Sequence, residues 1–253
     1  MWTADKLVYR GEDDFIRAYQ GSVLVWEKDM NKIYYTSTDG NIITPYVGSG
    51  DEYGFGANIV SNTYSGGQGV IVFDGNVTKI GRKAFQNKTK LLSIVIPDSV
   101  TKINALAFDS CENLTSIVIP DSVTEIGRYI LSYCRRLSSI VLSSNITFLN
   151  EGVCLNCNSL VSVTIPDSVV RIGTEVFLTC LNLTEVIVNS TVPPVLDITE
   201  SNTYNQFSLN GDYRKIKVPA ESLQRYKTAT GWRDYADDII SQYENKTDIK
   251  YIL

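Results

Sequence analysis

Histidine is absent from the 253 residues of the chain. Its absence removes the commonest general base, the Ser-His-Asp and Cys-His catalytic arrangements and the commonest zinc ligand. Runs of lysine or arginine are also absent, and the formal net charge is -5. A basic surface for nucleic acid or for an anionic membrane is therefore not expected. These absences predict a chain that is not an enzyme and does not bind nucleic acid.

Long apolar runs are absent too. The longest apolar stretches, such as SIVIP, are far shorter than the roughly 20 residues that a membrane-spanning helix needs, so no transmembrane segment is expected. The N-terminal stretch MWTADKLVYRGEDDF is acidic where a secretory signal would be apolar, which predicts no signal peptide in this chain. The content of 43% hydrophobic and 20% charged residues is typical of a folded protein.

The dominant feature of the sequence is a repeat of 23 residues. Three apolar columns follow the pattern L-x-x-I-x-I, and two more follow them in each unit. The strand columns are Leu91, Leu114, Leu137, Leu160 and Leu183; Ile94, Ile117, Ile140, Val163 and Val186; and Ile96, Ile119, Leu142, Ile165 and Val188. The later columns are Val77, Val100, Val123, Ile146 and Val169, and Ile80, Ile103, Ile126, Leu149 and Ile172. The pattern predicts a leucine-rich repeat, in which every unit supplies one short strand and one return segment to a continuous core.

Within one unit, strand alternation places Ile117 and Ile119 in the core and Ser116 and Val118 on the outer face. Pro120 ends the strand because proline cannot donate a ladder hydrogen bond. The return segment is expected to form a short helical or 3₁₀ turn. A glycine column, replaced by asparagine in two turns, is expected to supply positive φ. That column is Gly81, Asn104, Gly127, Asn150 and Gly173.

The repeat resembles the BspA-like, or Treponema pallidum type, family of bacterial leucine-rich repeat proteins, which occurs in Bacteroides-type gut bacteria. The resemblance is carried by CENLTSIVIPDSVTEIG and IPDSVTKINALAF and covers about residues 70–188. The fourth turn departs from it, because SSNIT replaces PDSVT. The resemblance implies an α/β repeat solenoid with a parallel sheet on one face, a β-rich N-terminal cap and a strand-helix C-terminal cap. It also implies a cell-surface or secreted protein.

Four of the five cysteines lie 23 residues apart, at Cys111, Cys134, Cys157 and Cys180, and Cys154 lies in the column of return-segment phenylalanines. We interpret them as small buried side chains. Disulfides between adjacent turns stay open as an alternative, whereas a linear row does not surround a metal ion. A second row, Asp98, Asp121 and Asp167, is interpreted as Asx-type turns, with a row of bound cations as the alternative. No cofactor or metal site is predicted.

The outer face of the predicted sheet carries small, nearly uncharged residues, which suit strands and also suit docking of an extended partner. Sugar binding is less favoured because no aromatic residue lies in these columns. The candidate partner-binding residues are Ser93, Val95, Ser116, Val118, Ser139, Val141, Ser162, Thr164 and Glu185. Ile187 completes the last row.

The sequence predicts four segments: 1–28, of unclear role; 29–69, a hairpin and loop cap; 70–188, the repeats; and 189–253, the C-terminal cap. Residues 14–29 suggest a helical turn and then a strand. In the N-terminal cap a hairpin is expected to pair Lys32–Ser37 with Asn41–Thr44, and the first strand of the stack is expected at Val70–Phe73.

In the C-terminal cap the pattern predicts a final strand at Lys215–Val218 and a helix from Ala220 to about Thr228. Three aromatic residues, one in this helix and two after it, are expected to form the core of this cap. They are Tyr226, Trp232 and Tyr235. The long linker over residues 189–211 is predicted to be the variable loop best placed to bind a partner.

These observations favour a non-catalytic interaction or adhesion module of a bacterial surface protein, which binds a protein or another cell-surface ligand. The alternative is a phage virion or tail component that binds a receptor or has a structural role. It rests on a short resemblance of the first 28 residues to virion-associated proteins of gut bacteria. The oligomeric state stays open.

Overall fold

The chain was analysed as a computed structural model, which describes residues 30–199, 206–207 and 215–242 and three strands before them. Those strands are β1 (Tyr9–Arg10), β2 (Ile16–Gln20) and β3 (Val23–Trp26). The others are β4 (Lys32–Ser37), β5 (Ile59–Ser65), β6 (Gln68–Phe73), β7 (Lys79–Ile80), β8 (Leu91–Val95), β9 (Lys102–Ile103), β10 (Ser116–Val118), β11 (Glu125–Ile126), β12 (Ser139–Val141), β13 (Phe148–Leu149), β14 (Ser162–Ile165), β15 (Arg171–Ile172), β16 (Glu185–Val188), β17 (Val195–Leu196), β18 (Lys215–Val218) and β19 (Ile239–Ser241). One α-helix, α1 (Leu223–Thr228), and three 3₁₀ helices (Asp51–Tyr53, Ala220–Ser222 and Trp232–Tyr235) complete the described elements.

Each unit of 23 residues forms one turn of a solenoid, which confirms the predicted architecture. The longer strands of successive turns stack in parallel, as β10 does on β12 and β14 on β16. The return segments form a second set of two-residue parallel strands, which the sequence did not indicate, on the other side of the core. The five predicted apolar columns lie between the two sets and are buried throughout. Among the described residues, no helix has the length and apolar character needed to cross a membrane.

The return segments form hydrogen-bonded turns, as the 3₁₀ alternative of the prediction requires, but no helix. Their alternate backbone N–H groups donate to carbonyls of the next turn, as from Leu106 to Arg128 (3.0 Å) and from Phe108 to Ile130 (2.9 Å). Hydrogen bonds within the segment are limited to single turns, such as that from Cys111 N–H to the Phe108 carbonyl. Because the neighbouring turn satisfies the backbone, a helix would have to give up these bonds.

Positive φ occurs in two columns that the sequence analysis did not identify. Both lie in the return segments, and only one of their ten members is glycine. The columns are Lys83, Leu106, Tyr129, Gly152 and Glu175, and Asn87, Ser110, Tyr133, Asn156 and Thr179. In the first four turns, inter-turn hydrogen bonds from these backbone N–H groups, such as Tyr129 to the Glu151 carbonyl, hold a conformation that most side chains disfavour.

The glycine column was expected to supply positive φ, but Gly81, Gly127 and Gly173 do not have positive φ. Glycine is needed at these positions for another reason. Each instead lies against backbone: a Cβ on Gly127 would overlap the nitrogen of Ala105 in the preceding turn, and a Cβ on Gly173 would lie 2.7 Å from the nitrogen of Glu151. The column therefore permits close stacking of turns.

Gly127→Ala should lower the free energy of unfolding by about 1 to 3 kcal/mol, because backbone cannot move aside as a side chain can. Gly75→Ala is the matched control, since its Cβ would meet nothing closer than the Ala57 Cβ at 3.7 Å. Chemical denaturation of both variants measures the difference. Equal stabilities would contradict the close-stacking role of the glycine column.

Polar side chains add a second set of bonds between turns. The serine of PDSV donates to the preceding turn in Ser122 Oγ to the Val100 carbonyl and in Ser168 Oγ to the Ile146 carbonyl, both at 2.7 Å. In the irregular fourth turn, Ser143 Oγ takes this role by donating to the Val123 carbonyl (2.6 Å). The Asp121 carboxylate accepts from the Ser144 N–H of the next turn at 2.7 Å, so its contact lies between turns rather than within an Asx turn.

All five cysteines are buried as free thiols, as the packing interpretation predicts. Four of them donate to a carbonyl of the aromatic column one turn earlier, with S···O distances of 3.0 to 3.2 Å. This column of the return segments consists of Phe85, Phe108, Leu131, Cys154 and Phe177, so leucine and cysteine replace phenylalanine in two turns. The donor and acceptor pairs are Cys111 and Phe85, Cys134 and Phe108, Cys157 and Leu131, and Cys180 and Cys154. Burial raises the pKa of the Cys111, Cys134 and Cys157 thiols above its ordinary value.

The free energy of unfolding should therefore fall as the pH rises above about 8.5, the ordinary pKa of a thiol. Below this pH both states keep the thiol protons, whereas above it the unfolded chain loses them and the native chain does not. Chemical denaturation between about pH 7 and about pH 10 measures the slope. Cys134→Ala removes one such thiol and should make the decline shallower; an unchanged slope would contradict the buried-thiol explanation.

The N-terminal cap differs from the predicted hairpin. β4 pairs antiparallel with both β6 and β8, whereas Asn41–Thr44 forms no strand. The segment is held instead by single bonds, including those from the Ile43 N–H to Tyr35 Oη and from Asn62 Nδ2 to the Ile43 carbonyl. The expected first strand at Val70–Phe73 is part of β6, but β4 separates it from the second strand of the stack. Both edges of β4 are thus occupied, which leaves Asn41–Thr44 without a strand partner.

The first residues contain a three-stranded antiparallel sheet in the order β1-β2-β3. The predicted helical turn is wrong, because Ile16–Gln20 is a strand. It pairs with Val23–Trp26, with Gln20 opposite Val23. β-Branched and aromatic residues favour this strand pairing.

In the C-terminal cap, the predicted strand and the predicted helix are both confirmed. The helix is preceded by a 3₁₀ turn at Ala220–Ser222. Tyr226, Trp232 and Tyr235 are buried, as predicted. The Tyr226 and Trp232 side chains donate to the carbonyls of Ser190 (2.8 Å) and Pro194 (2.6 Å). The predicted final strand is followed by one more, β19, which pairs in parallel with β18.

The linker over residues 189–211 is partly built into the solenoid. β17 pairs with β15, and Phe207 forms a bridge with Phe177 on which its ring stacks at 6.1 Å. Phe207 therefore continues the aromatic column, and Trp232 packs on it in turn, with ring centroids 5.7 Å apart. Residues 200–205 and 208–214 lie outside the described residues.

Candidate functional site

The stacked strands bring the predicted partner-binding residues onto one outer face, and parallel register aligns them within each ladder. Ser116 lies opposite Ser139 and Val118 opposite Val141. Thr164 lies beside Ile187 in the same way. Their inward neighbours, such as Ile117 and Val163, are buried, so strand alternation leaves the named side chains on the solvent side. The repeat period is what aligns them.

The middle of this face is the most accessible part. The Val141 side chain is 48% exposed, and Ser139, Ser162 and Thr164 are also exposed. Towards the N-terminal end the side chains are half-buried. We call the six central residues the docking strip: Ser116, Val118, Ser139, Val141, Ser162 and Thr164.

Towards the N-terminal end, the strip is followed by β8 and then by β4, which sequence reasoning did not place on this face. Thr36 Oγ1 and Ser93 Oγ lie 2.6 Å apart in a hydrogen bond, so Ser93 is engaged by the cap. Tyr34 lies opposite Val95 and, unlike the buried Tyr35, faces outwards. An aromatic ring therefore does stand on this face. The 23-residue spacing could not reveal it because β4 is not part of a repeat.

The C-terminal boundary of the strip is charged. Lys215 and Lys217 of β18 lie next to Glu185 and Ile187 of β16. Lys217 Nζ lies 2.5 Å from Glu185 Oε1, so the predicted site residue Glu185 is neutralised by an ion pair. These two lysines could have been included among the candidate site residues, because the strand at Lys215–Val218 was predicted from the sequence. The repeat period did not reveal them, because the linker interrupts it before this strand.

The chemistry available on the strip is limited to hydroxyl hydrogen bonds and apolar contact. Within the described residues, no group of three or more histidine, cysteine, aspartate or glutamate side chains could hold a metal ion. The strip is thus suited to contact another surface, because rows of β-branched and hydroxyl side chains lose little conformational freedom when they are covered.

The fold and this face define a leucine-rich repeat solenoid, and comparison with known families assigns it more closely. The sequence model of the BspA type leucine rich repeat region matches residues 67–210, with six copies of the repeat. The chain therefore belongs to the BspA-type leucine-rich repeat family, which confirms the resemblance seen in the sequence. No curated protein matches the chain.

Several solved structures are similar to this chain. A leucine rich cell surface protein from Faecalibacterium prausnitzii is 31% identical, over 53% of this chain and 36% of its own, with a TM-score of 0.43. A leucine-rich repeat protein from Bacteroides ovatus is 17% identical, over 87% and 65%, with a TM-score of 0.33. The pneumococcal vaccine antigen PcpA is 15% identical, over 66% and 44%, with a TM-score of 0.48. The chain thus spans between about a third and two thirds of these proteins.

Proposed function

We propose that the chain is a non-catalytic protein-binding or adhesion module of a bacterial surface protein. Membership of the BspA-type family supports this proposal. The similar protein from Faecalibacterium prausnitzii is a leucine rich cell surface protein, which agrees with it. The docking strip is the proposed binding site, with the cap loops at its margins. The cellular location and the activity of the whole protein are part of the proposal.

The observation that carries the proposal is the row structure of the docking strip. Six small side chains, none of them charged, lie on the outward side of three neighbouring strands, β10, β12 and β14. β10 and β12 are in parallel register, whereas β14 begins the next ladder with β16. Val141 lies half exposed at the centre. Their backbone is held by the sheet, so a partner meets a surface that needs little ordering on binding. Charged residues stand outside the strip, on β4 at the N-terminal end of the face and on β16 and β18 at the C-terminal end, where they can orient the partner.

A cap loop adds exposed apolar side chains that a solvated loop does not need. Ile42, Tyr46 and Val47, between β4 and β5, are each about half exposed. Clusters of this kind are typical of interaction surfaces. This loop therefore extends the proposed contact beyond the strip.

The alternative, a phage virion or tail component, stays a prediction. It depends on the first 28 residues, of which only the strands β1, β2 and β3 are described. A three-stranded sheet does not distinguish a particle protein from a cell-surface protein.

Lysine substitution within the docking strip should weaken binding to a partner by about tenfold or more, because the contact would bury an unpaired charge. The variants are Val141→Lys and Thr164→Lys, both at exposed positions. Binding is measured by biolayer interferometry against a panel of purified extracellular matrix proteins and bacterial cell-wall glycans. The wild-type chain is expected to bind at least one protein in the panel.

Val170→Lys is the matched control, since Val170 is 63% exposed but lies beside β15 on the opposite side of the solenoid. This variant should bind like the wild type, and all three should keep the wild-type unfolding midpoint. Equal loss in the control, or full binding by both strip variants, would contradict the strip as the binding site. No binding to any protein in the panel would count against the proposed function itself.

A further inference from the structure

The N-terminal segment enters the solenoid through the middle of a sheet rather than at its edge. The sheet order is β5-β6-β4-β8, and β4 is antiparallel to both neighbours. Four residues of β4 are in register with β6, and four are in register with β8. The ladder with β6 covers Lys32–Tyr35 and the ladder with β8 covers Tyr34–Ser37, so the two together span the whole of β4 and overlap at its middle.

The hydrogen bonds begin at the first described residue before β4. The Met30 carbonyl accepts from the Val77 N–H at 2.7 Å and from Ser99 Oγ at 3.1 Å. The Asn31 carbonyl accepts from the Phe73 N–H at 2.9 Å. The chain is thus fixed to two different turns of the solenoid before β4 starts.

The side chains of β4 that face the core anchor it further. Ile33 and Tyr35 are fully buried. Tyr35 Oη donates to Asn62 Oδ1 at 2.8 Å and accepts from the Ile43 N–H at 3.1 Å. The Tyr35 ring also covers Gly69, where a Cβ would overlap it. To leave the sheet, β4 must give up this burial together with both ladders.

We propose that β4 is the mechanical junction that joins the N-terminal segment to the solenoid and resists a pull on it. A pull on the chain before Met30 draws β4 lengthwise between β6 and β8. The ladder hydrogen bonds lie across that direction, so they are loaded together rather than broken one after another. Resistance to forced unfolding depends on the rate of this first rupture.

The opposite end of the solenoid is built differently. Among the described residues β19 has one strand neighbour, β18, and only three residues of it are in register. A pull on the chain after Ser241 therefore loads a single ladder. The structure accordingly favours the N-terminal end as the point where the solenoid is held while a partner on its surface pulls. This mechanical role does not depend on the identity of that partner.

Single-molecule pulling of the full chain tests the junction. One handle is the thiol introduced by Arg135→Cys, at an exposed position just before β12, which can be labelled selectively because the native thiols are buried. The second handle is a tag on the N-terminus or on the C-terminus. We expect the rupture that releases β4 to need a higher force than the rupture that releases β19, since two ladders of four positions each resist it rather than one ladder of three.

Two matched substitutions assign the ruptures. Ile33→Ala in β4 and Ile239→Ala in β19 both truncate a fully buried isoleucine. Each should lower the rupture force in its own geometry and leave the other unchanged. If Ile33→Ala fails to fold, as judged by circular dichroism, Tyr35→Phe replaces it, because this change removes the two hydroxyl bonds and keeps the ring. Release of β4 at a force equal to or below that of β19, or a force unaffected by the β4 substitutions, would overturn the proposal.

Discussion

Hydrogen bonding between successive turns is the constraint on which the rest of the structure depends. A turn of 23 residues is too short to enclose a core, so its backbone and its apolar face need the next turn. Leu106 N–H, Ser122 Oγ and Cys134 Sγ show three versions of the same solution, because each donates to a carbonyl in a neighbouring turn. The length of the unit, the positive φ columns and the glycine column all follow from bringing these groups into register.

The ends of the solenoid show how the same requirement is met where the repeat stops. At the front, Phe55 packs on Phe85 with ring centroids 6.2 Å apart, and β4 fills the first strand position. At the back, Phe207 and Trp232 extend the aromatic column from Phe177. Both caps therefore supply rings and strands that imitate a further turn, since an uncovered turn would leave its core open to water.

The docking strip is a consequence of this architecture. The inward positions are filled by the core, and the ends of the strands are used for bonds between turns, so only the outward positions of each strand are free to vary. In the docking strip they hold serine, threonine and valine, and Glu185, Lys215 and Lys217 bring charge to its C-terminal boundary. A surface assembled in this way can be changed residue by residue without disturbing the fold, which suits a binding module.

The sequence by itself determined the repeat, the buried columns, the outward face and the aromatic C-terminal cap, because each is written as periodicity or as local composition. Tertiary structure alone decided the insertion of β4, the cause of the glycine column and the conformation of the return segments. Gly127 illustrates the difference: its period is visible in the sequence, but the backbone of Ala105 that requires it belongs to another turn. Tyr34 reaches the outer face through strand pairing over a long sequence separation, which no local pattern encodes. Contacts within one unit repeat and can be predicted, whereas contacts that occur once, at the ends, depend on which strand edges remain open after the turns have stacked.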